Sequence, residues 1–587
     1  MENTKVNFKY SFGTPHRLCI SLPQASKKCL LDSTPDGVTV LWSDDDLTKI
    51  APGAFYGPKI QWIFDINVEI DSKLVQGVLW KRVENRLPAL EYIWDYDGVT
   101  IRLIAVSSYD EDIFKFEIEN KSSDKKEVGI IGKTKDLSFN TKWMNKESKY
   151  NMLLAHYGDR SDRILFFSTA ETEKLKSCSN IDVFRKIKSQ ESYSFFFIRP
   201  HRKIVDDIER LLKINWDHKL KTALEIWRKI IDKAQKFIIP DKMIEDAYYA
   251  CFCDIFVAQE INSEGFLAGL AGTDLYRCMN TWEPTIAAQV MDHSGLFLES
   301  EHLMRGILYP QEENGRWDDF RRWGHDIWWI PAPRCNWLKE HYLFTKNKKL
   351  LLFGFEKMYK HIKWAHQQRQ KTKVLNELGE KPLTWGLMPR GMGDGGLMDD
   401  DDYFGYFIPS NVYHCFLIKI AIWAAKELNL DNEVNELREY YDDAFECTME
   451  AIRKGAIQEK DGYKWIPGVP GKTSGSRWAA TASIYPCELI DPFDELATGT
   501  IKKLESNKSE GGLPLDTGWL KGGIWAAIAI DNLAYAHLAR GEYDKASDYL
   551  YPVINHGSPL FTWCEERMPE PNSKVITGDL QHTWTPH

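Results

Sequence analysis

The sequence has no apolar run of membrane-spanning length, and its opening, MENTKVNFKYSFG, lacks the hydrophobic core of a secretory leader. Neither a transmembrane segment nor signal-directed export is expected. Basic charge is not in excess: 75 Lys and Arg stand against 85 Asp and Glu, a net charge of −10. With no basic stripe to offset it, a nucleic-acid or anionic-membrane partner is disfavoured. The one basic tract, 121–126, follows an expected strand and reads as a solvated turn. The cysteines have no framework. Eleven of them, an odd number without regular spacing, point to reduced thiols and a cytoplasmic setting. Cys251 and Cys253 are too close for a C-x-x-C pair and fall in a helical pattern, so core packing is expected of them. No metal or other cofactor is called for.

A chain of 587 residues exceeds one core, and its pattern divides. Residues 1–203 read as short strands (6–12, 38–42, 60–70, 78–82, 90–94, 99–107, 113–118, 164–168 and 192–198), several of them alternating apolar with polar. That spacing implies a two-sheet antiparallel β-sandwich. Residues 204–240 turn helical and read as a linker, ended by Pro240. From 241 to 587 the pattern is helical hairpins, with helices expected over 244–260, 283–294, 300–308, 326–344, 350–370, 411–428, 432–453, 479–489, 494–504, 523–540 and 543–555. A last one would open at 579–584. Pro331 and Pro333 should kink or shorten the fourth. Paired, these make about six hairpins, the material of a closed (α/α)6 toroid with two concentric helix rings. His16, His156 and His201 are scattered through the strand region and suggest no catalytic group there.

The connections fall into two classes. Short ones (295–299, 345–349, 429–431, 541–542) alternate with long ones (265–282, 311–325, 383–410, 458–478, 509–522, 557–581). Alternate loops of a hairpin barrel share one face, so the elaborate loops gather at one end. Their residues suit carbohydrate: flat apolar rings, hydrogen-bonding cations and carboxyls that give or take protons. Loop 265–282 offers Asp274 and Arg277 to grip hydroxyls, with Trp282; Glu283, before Pro284, also suits a helix start. Loop 311–325 and its continuation offer Trp317, His325, Asp326 and Trp329. Loop 383–410 offers Trp385, Arg390 and Asp394, the last isolated between glycines and preferred as its catalytic carboxyl. The acidic run 399–402 reads as a solvated tip, since four adjacent carboxylates titrate together. Trp465 and Trp519 come from the next two loops. The final one supplies Trp563, Glu565, Glu566 and His582. Two carboxyls, one protonated and one ionised, are what glycoside hydrolysis requires; Glu565 and Glu566 also fit a solvated surface cluster.

With these loops in place, the chain resembles the six-hairpin glycosidases of the glucoamylase-like, trehalase-like and rhamnosidase-like groups. In glucoamylase-like members the acid comes from the loop between the fifth and sixth helices and the base from that between the eleventh and twelfth. This resemblance puts the acid at Asp394 and the base at Glu565 or Glu566. The rhamnosidase-like pattern instead points to Glu283 as acid, at Asn280-Thr281-Trp282-Glu283, which lacks that group's glycines. The resemblance implies an oligosaccharide or glycoside substrate and an inverting mechanism. A polysaccharide lyase using the loop arginines on a uronate, a phosphorylase and a non-catalytic glycan-binding protein are the alternatives.

Overall fold

The computed structural model describes residues 5–51, 54, 56–136, 142–144, 151–156, 163–171, 180–279, 282–317, 326–393, 404–473, 478–518 and 520–584. Its first part is two antiparallel sheets. One comprises β1 (His16–Cys19), β2 (Cys29–Thr34), β3 (Gly37–Trp42), β4 (Trp62–Ile70), β5 (Lys73–Val75), β10 (Lys126–Asp136) and β14 (Asn180–Ile187). The other comprises β6 (Gly77–Arg82), β7 (Leu90–Tyr96), β8 (Val99–Ser107), β9 (Glu111–Asn120), β11 (Lys142–Met144), β12 (Met152–His156), β13 (Arg163–Ser168) and β15 (Ser192–Pro200). In β4 every second residue from Trp62 to Ile70 is buried and the intervening ones are half-exposed. This period of two is that of a sheet with one dry face. The dry faces meet at Phe64 and Phe166, stacked with centroids 3.8 Å apart, beside Trp42 and Trp62 at 5.9 Å. Residues 6–12, expected as a strand, form turns and irregular chain instead. Tract 121–125 is a turn, as its composition suggested.

Two helices follow, α1 (Ile208–Leu211) and α2 (Trp216–Lys233), the second capped by Asn215, whose side chain accepts from His218 N. The hairpin region comprises α3 (Lys242–Val257), α4 (Glu283–His293), α5 (Phe297–Leu308), α6 (Pro331–Thr345), α7 (Lys348–Gln370), α8 (Ile408–Leu428) and α9 (Asp431–Gly455). A 3-10 segment, Trp478–Ser483, then α10 (Glu495–Glu505) come next. The rod α11 runs through Ala526–Ile528, a π turn at Ala529–Ala534, and Tyr535–Ala539. Helices α12 (Tyr543–Ser547) and α13 (Leu550–His556) complete the set. Pro331 and Pro333 do not kink a helix; they stand in the first turn of α6, where a missing N–H costs nothing. Pro284 in α4 and Pro409 in α8 do the same. Where residues 479–489 were expected to be a helix, only the short 3-10 segment forms, and residues 579–584 form bridges and a turn rather than a helix.

Alternate helices pack side by side: α4 on α6, α6 on α8, α8 on the 3-10 segment, and that segment on α11. Their hairpin partners lie against them, α5 on α4, α7 on α6 and α8, α9 on α8, α12 on α11. Ten cysteines among the described residues are unpaired, nine of them buried. No described helix is long and apolar enough to cross a membrane.

The sheets and helices are joined by buried ionic groups. Arg82 donates to both oxygens of Asp254 (2.9 and 2.6 Å) and through Nε to Leu560 O (2.5 Å). Gln581 Oε1 accepts from Cys19 N (2.7 Å), while its Nε2 donates to Asp254 (3.3 Å). Lys28 Nζ caps Val257 O and Gln259 O at 2.8 and 2.9 Å.

Candidate functional site

The N-terminal ends of α4, α6, α8 and α11 point to one end of the helical region, and aromatic rings from them converge there. Trp282 precedes α4, Trp329 precedes α6, Tyr413 lies in the second turn of α8, and Trp525 precedes α11. Trp584, from the last loop, completes the group. Ring centroids lie 4.9 Å apart for Trp282–Trp329, 5.8 Å for Trp282–Trp584, 5.9 Å for Trp329–Tyr413 and 5.0 Å for Trp525–Trp584. The near-perpendicular crossings of Trp282–Trp329 and Trp525–Trp584 are the favoured edge-to-face geometry. Prolines in the first turns of three of these helices fix where the rods begin, and so where the rings preceding α4 and α6 sit.

Beside this group the last loop turns back on itself. Glu566–Arg567 pairs with Ile576–Thr577, and Arg567 exchanges both backbone hydrogen bonds with Ile524 (2.8 and 3.1 Å). Glu565 lies at the bend just before this pair and Glu566 within it, and their carboxylates face different neighbours: a Cβ at Gly578 would collide with that of Glu565, one at Gly518 with that of Glu566. Glu566 is fully buried and accepts the Leu520 N–H with both oxygens at 3.0 Å. Gly518 and Gly523 make room for it, since a Cβ at either would collide with its carboxylate. An N–H aimed at a carboxylate favours the ionised form. Glu565 faces Tyr276, whose phenol hydrogen-bonds it; burial first, then this carboxylate, pushes the phenol's pKa well above its ordinary value. Asp579 joins the last loop to residues 272–276 by accepting from the N–H groups of Asp274, Leu275 and Tyr276 at 3.1, 2.6 and 3.2 Å. Burial pushes its carboxyl up to about 6, against the pull of those N–H groups. Glu283 is buried at the first position of α4, the positive end of that helix.

Several expected ligand contacts are instead structural. Arg277 is 2% exposed; it donates Nε and Nη2 to Glu260 (3.0 and 2.8 Å) and Nη2 to Ser26 O, so it cannot reach a sugar hydroxyl. Asp274 accepts from Arg17 of β1 at 2.7 Å, across the sheet–helix junction. Trp317 is buried, with Arg334 over its ring and on its carbonyl. Trp465 is buried and donates to Glu459 (2.9 Å), and Trp563 is buried and donates to Val553 O (2.9 Å). These three indoles are core, not stacking platforms. Asp326 is ion-paired with Arg316. Trp385 is half-buried beneath Lys381, and exposed Arg390 donates to Phe404 O at 2.8 Å. His582 is buried, edge-on to Tyr276 at 6.0 Å, and its N–H meets Trp563 O. Asp394, His325, Trp519 and the run 399–402 lie outside the described residues.

Three groups at this end were not singled out from sequence as site residues: Tyr276, Tyr413 and Trp584. A fourth is Asp531, which accepts from the Trp584 indole N–H. Burial pushes its carboxyl up to about 7, against that hydrogen bond. Its signal was available, as the one acidic residue in the otherwise uncharged stretch 522–539.

No family model matches the chain, and no curated protein matches it by sequence. Among solved structures it is similar to a bacterial glucoamylase complexed with acarbose, with a TM-score of 0.68. The match covers 100% of this chain and 94% of that one at 9% sequence identity. At that identity the likeness speaks of fold: the chain has the fold of a bacterial glucoamylase over its whole length.

Proposed function

We propose that the protein is a glycoside hydrolase of the six-hairpin type, with residues 1–203 as β-sandwich, 204–240 as linker and 241–587 as an (α/α)6 catalytic toroid. The observation that carries this reading is the convergence of five aromatic rings from separate segments beside the buried carboxylate of Glu566. Trp329, Tyr413, Trp525 and Trp584 are buried and back the half-buried Trp282, whose ring is the one a sugar would meet, and a nearby carboxylate would activate the water. The solved neighbour holds acarbose, and an oligosaccharide is accordingly the proposed substrate. In this scheme Glu566, with its charge favoured by the Leu520 N–H, is the general base. Asp394 is the acid that protonates the leaving oxygen, and Glu283 is its rival. Glu565, turned toward Tyr276, is a positioning residue. Attack by water from the opposite face then inverts the anomeric centre.

The lyase alternative loses support because Arg277 is paired with Glu260 and Arg567 is spent on backbone carbonyls, leaving neither to neutralise a uronate. The test is a panel of aryl glycosides and oligosaccharides in phosphate-free buffer, with the released anomer followed by NMR. Glu566→Gln should lower turnover at least about a hundredfold while substrate binding persists, the low end of acid–base contributions. Near-normal turnover in that variant removes the assignment. A product absorbing in the ultraviolet, or a phosphate requirement, replaces hydrolysis with elimination or phosphorolysis.

A further inference from the structure

A chamber of about 260 Å³ lies among α4, α6, α8 and α11, beneath the aromatic group. Trp282 and Trp584 form its inner end. Toward the C-terminal ends of those helices it meets a larger recess of about 810 Å³ that shares Tyr485 and Tyr535 and continues past Leu538 and Ala539. The chamber therefore opens on the face of the short connections, away from the elaborate loops.

Its chemistry is one-sided. Glu340 on α6 accepts from the side-chain amides of Gln289 (2.7 Å) and Asn336 (3.0 Å). Each of those amides thus spends one of its two N–H donors on the protein and keeps a carbonyl oxygen that can face a cation. Asp531 lies in the π turn of α11, a distortion that is rare and concentrated at functional sites. One of its oxygens takes the Trp584 N–H, and the other takes no hydrogen bond from any described residue. The two carboxyls share the space: burial, then Asp531, Tyr485 and Glu340, raises the Tyr535 phenol to about 12. Among the described lining residues there is no lysine or arginine, and exposed His293 at the end of α4 is the one group able to oppose a cation. The remaining walls are aromatic, chiefly Tyr413 on α8 and the stacked Tyr485 and Tyr535, 5.1 Å apart.

We propose that this chamber binds a small organic ammonium ion, with Asp531 and Glu340 as its counter-ions and the tyrosine rings as its walls. Aromatic faces attract such cations, most strongly where water is excluded. Because burial holds the Asp531 carboxyl near neutrality, a bound cation drives its ionisation and releases a proton below pH about 7. Glu340, His293, Tyr413, Tyr485 and Tyr535 are the other titratable groups facing it. The chamber shares Trp282, Tyr413 and Trp584 with the proposed sugar site, but cation binding is measured without glycoside and stands or falls apart from hydrolysis.

The experiment is calorimetric titration of the full chain with tetramethylammonium, and with tert-butanol as the neutral shape match. Saturable one-to-one binding of the cation is expected, weakening about tenfold from pH 8 to pH 6 as Asp531 takes up its proton. Asp531→Asn should weaken binding at pH 8 at least tenfold and flatten the pH dependence; Glu340→Gln should weaken it and leave the pH dependence in place. If Asp531→Asn does not fold, Glu340→Gln and the wild-type pH slope decide. No saturation up to about 0.1 M, a concentration at which even feeble sites fill, overturns the proposal. Equal binding of tert-butanol, or unchanged binding in folded Asp531→Asn, overturns it too.

Discussion

Between the two sheets the packed surface is mostly apolar, from Trp62 and Phe64 on one side to Phe114 and Phe166 on the other, although the buried Arg199–Asp112 pair lies against Trp42. Inside the helical region, by contrast, ionisable groups are built into the interior. His341 sits between Asp292 (2.8 Å) and Glu301 (3.2 Å), Glu260 grips Arg277, and Asp531 faces a chamber. A sheet buries one face and hands its polar residues to water on the other. Helices packed side by side bury the faces between them, and polar groups kept there need partners on other helices. The sheets' stability should therefore respond to volume, and the helical region's to pairing and to pH.

The largest test of this contrast is at the junction. Arg82→Ala leaves Asp254 buried without its partner and should cost about 3–5 kcal/mol in chemical denaturation, whereas Arg82→Met with Asp254→Leu should recover most of that. Equal damage from the single and double changes would mean that shape, not charge, matters there. Next comes Asp579→Asn, which turns an amide toward three backbone N–H groups and should cost about 1–3 kcal/mol. A rise in KM exceeding any fall in kcat would show that the loop 272–276 has shifted.

A smaller effect is the pH response at Glu505. Burial alone would raise its carboxyl, but hydrogen bonds from His537 and Tyr549 hold it down at about 2. The stability this contributes is present above about 4.5 and is lost as pH falls through about 2. His537 runs the other way: burial opposes its charge, but Glu505 and Glu542 raise it. Its contribution is full below about 6.5 and is lost as pH climbs through the raised value. Glu505→Gln should flatten both limbs of the melting temperature measured from pH 2 to 8. The smallest effect is in the sheets: Ile66→Val should cost about 0.5–1.5 kcal/mol, with no change in that pH profile.

The same contrast explains what could be read from the sequence. Alternation at Phe114, Phe116 and Ile118 announced a strand because one face there is dry and the other is half-exposed. Prolines and apolar periods placed most helices within a few residues; Pro331 and Pro333, expected to kink or shorten the helix at 326–344, shorten it by marking its start. Among site residues, the place of Glu283 at a helix start was already weighed beside its catalytic role. Arg277 looked like a sugar ligand because its partner, Glu260, sits on a strand seventeen positions away, which no local pattern reveals. The two adjacent glutamates looked equivalent, but a bend at Glu565 and the pairing of Glu566 give them different neighbours, which the sequence does not reveal. Asp531 was overlooked because its surroundings come from α4, α6 and α8, far away in the chain.

One contact has a kinetic consequence. Gln581 reaches Cys19 in the first strand, 562 positions away, and the same side chain touches the Arg82–Asp254 pair. Loop closure over such a separation is slow and earns nothing until both ends are structured. During synthesis the sheets must wait, with Arg82 lacking both Asp254 and the Leu560 carbonyl, until those later segments have left the ribosome. Chaperone dependence should fall on this interval, and a ribosome stalled between residues 260 and 560 should hold a nascent chain still open to protease at the junction.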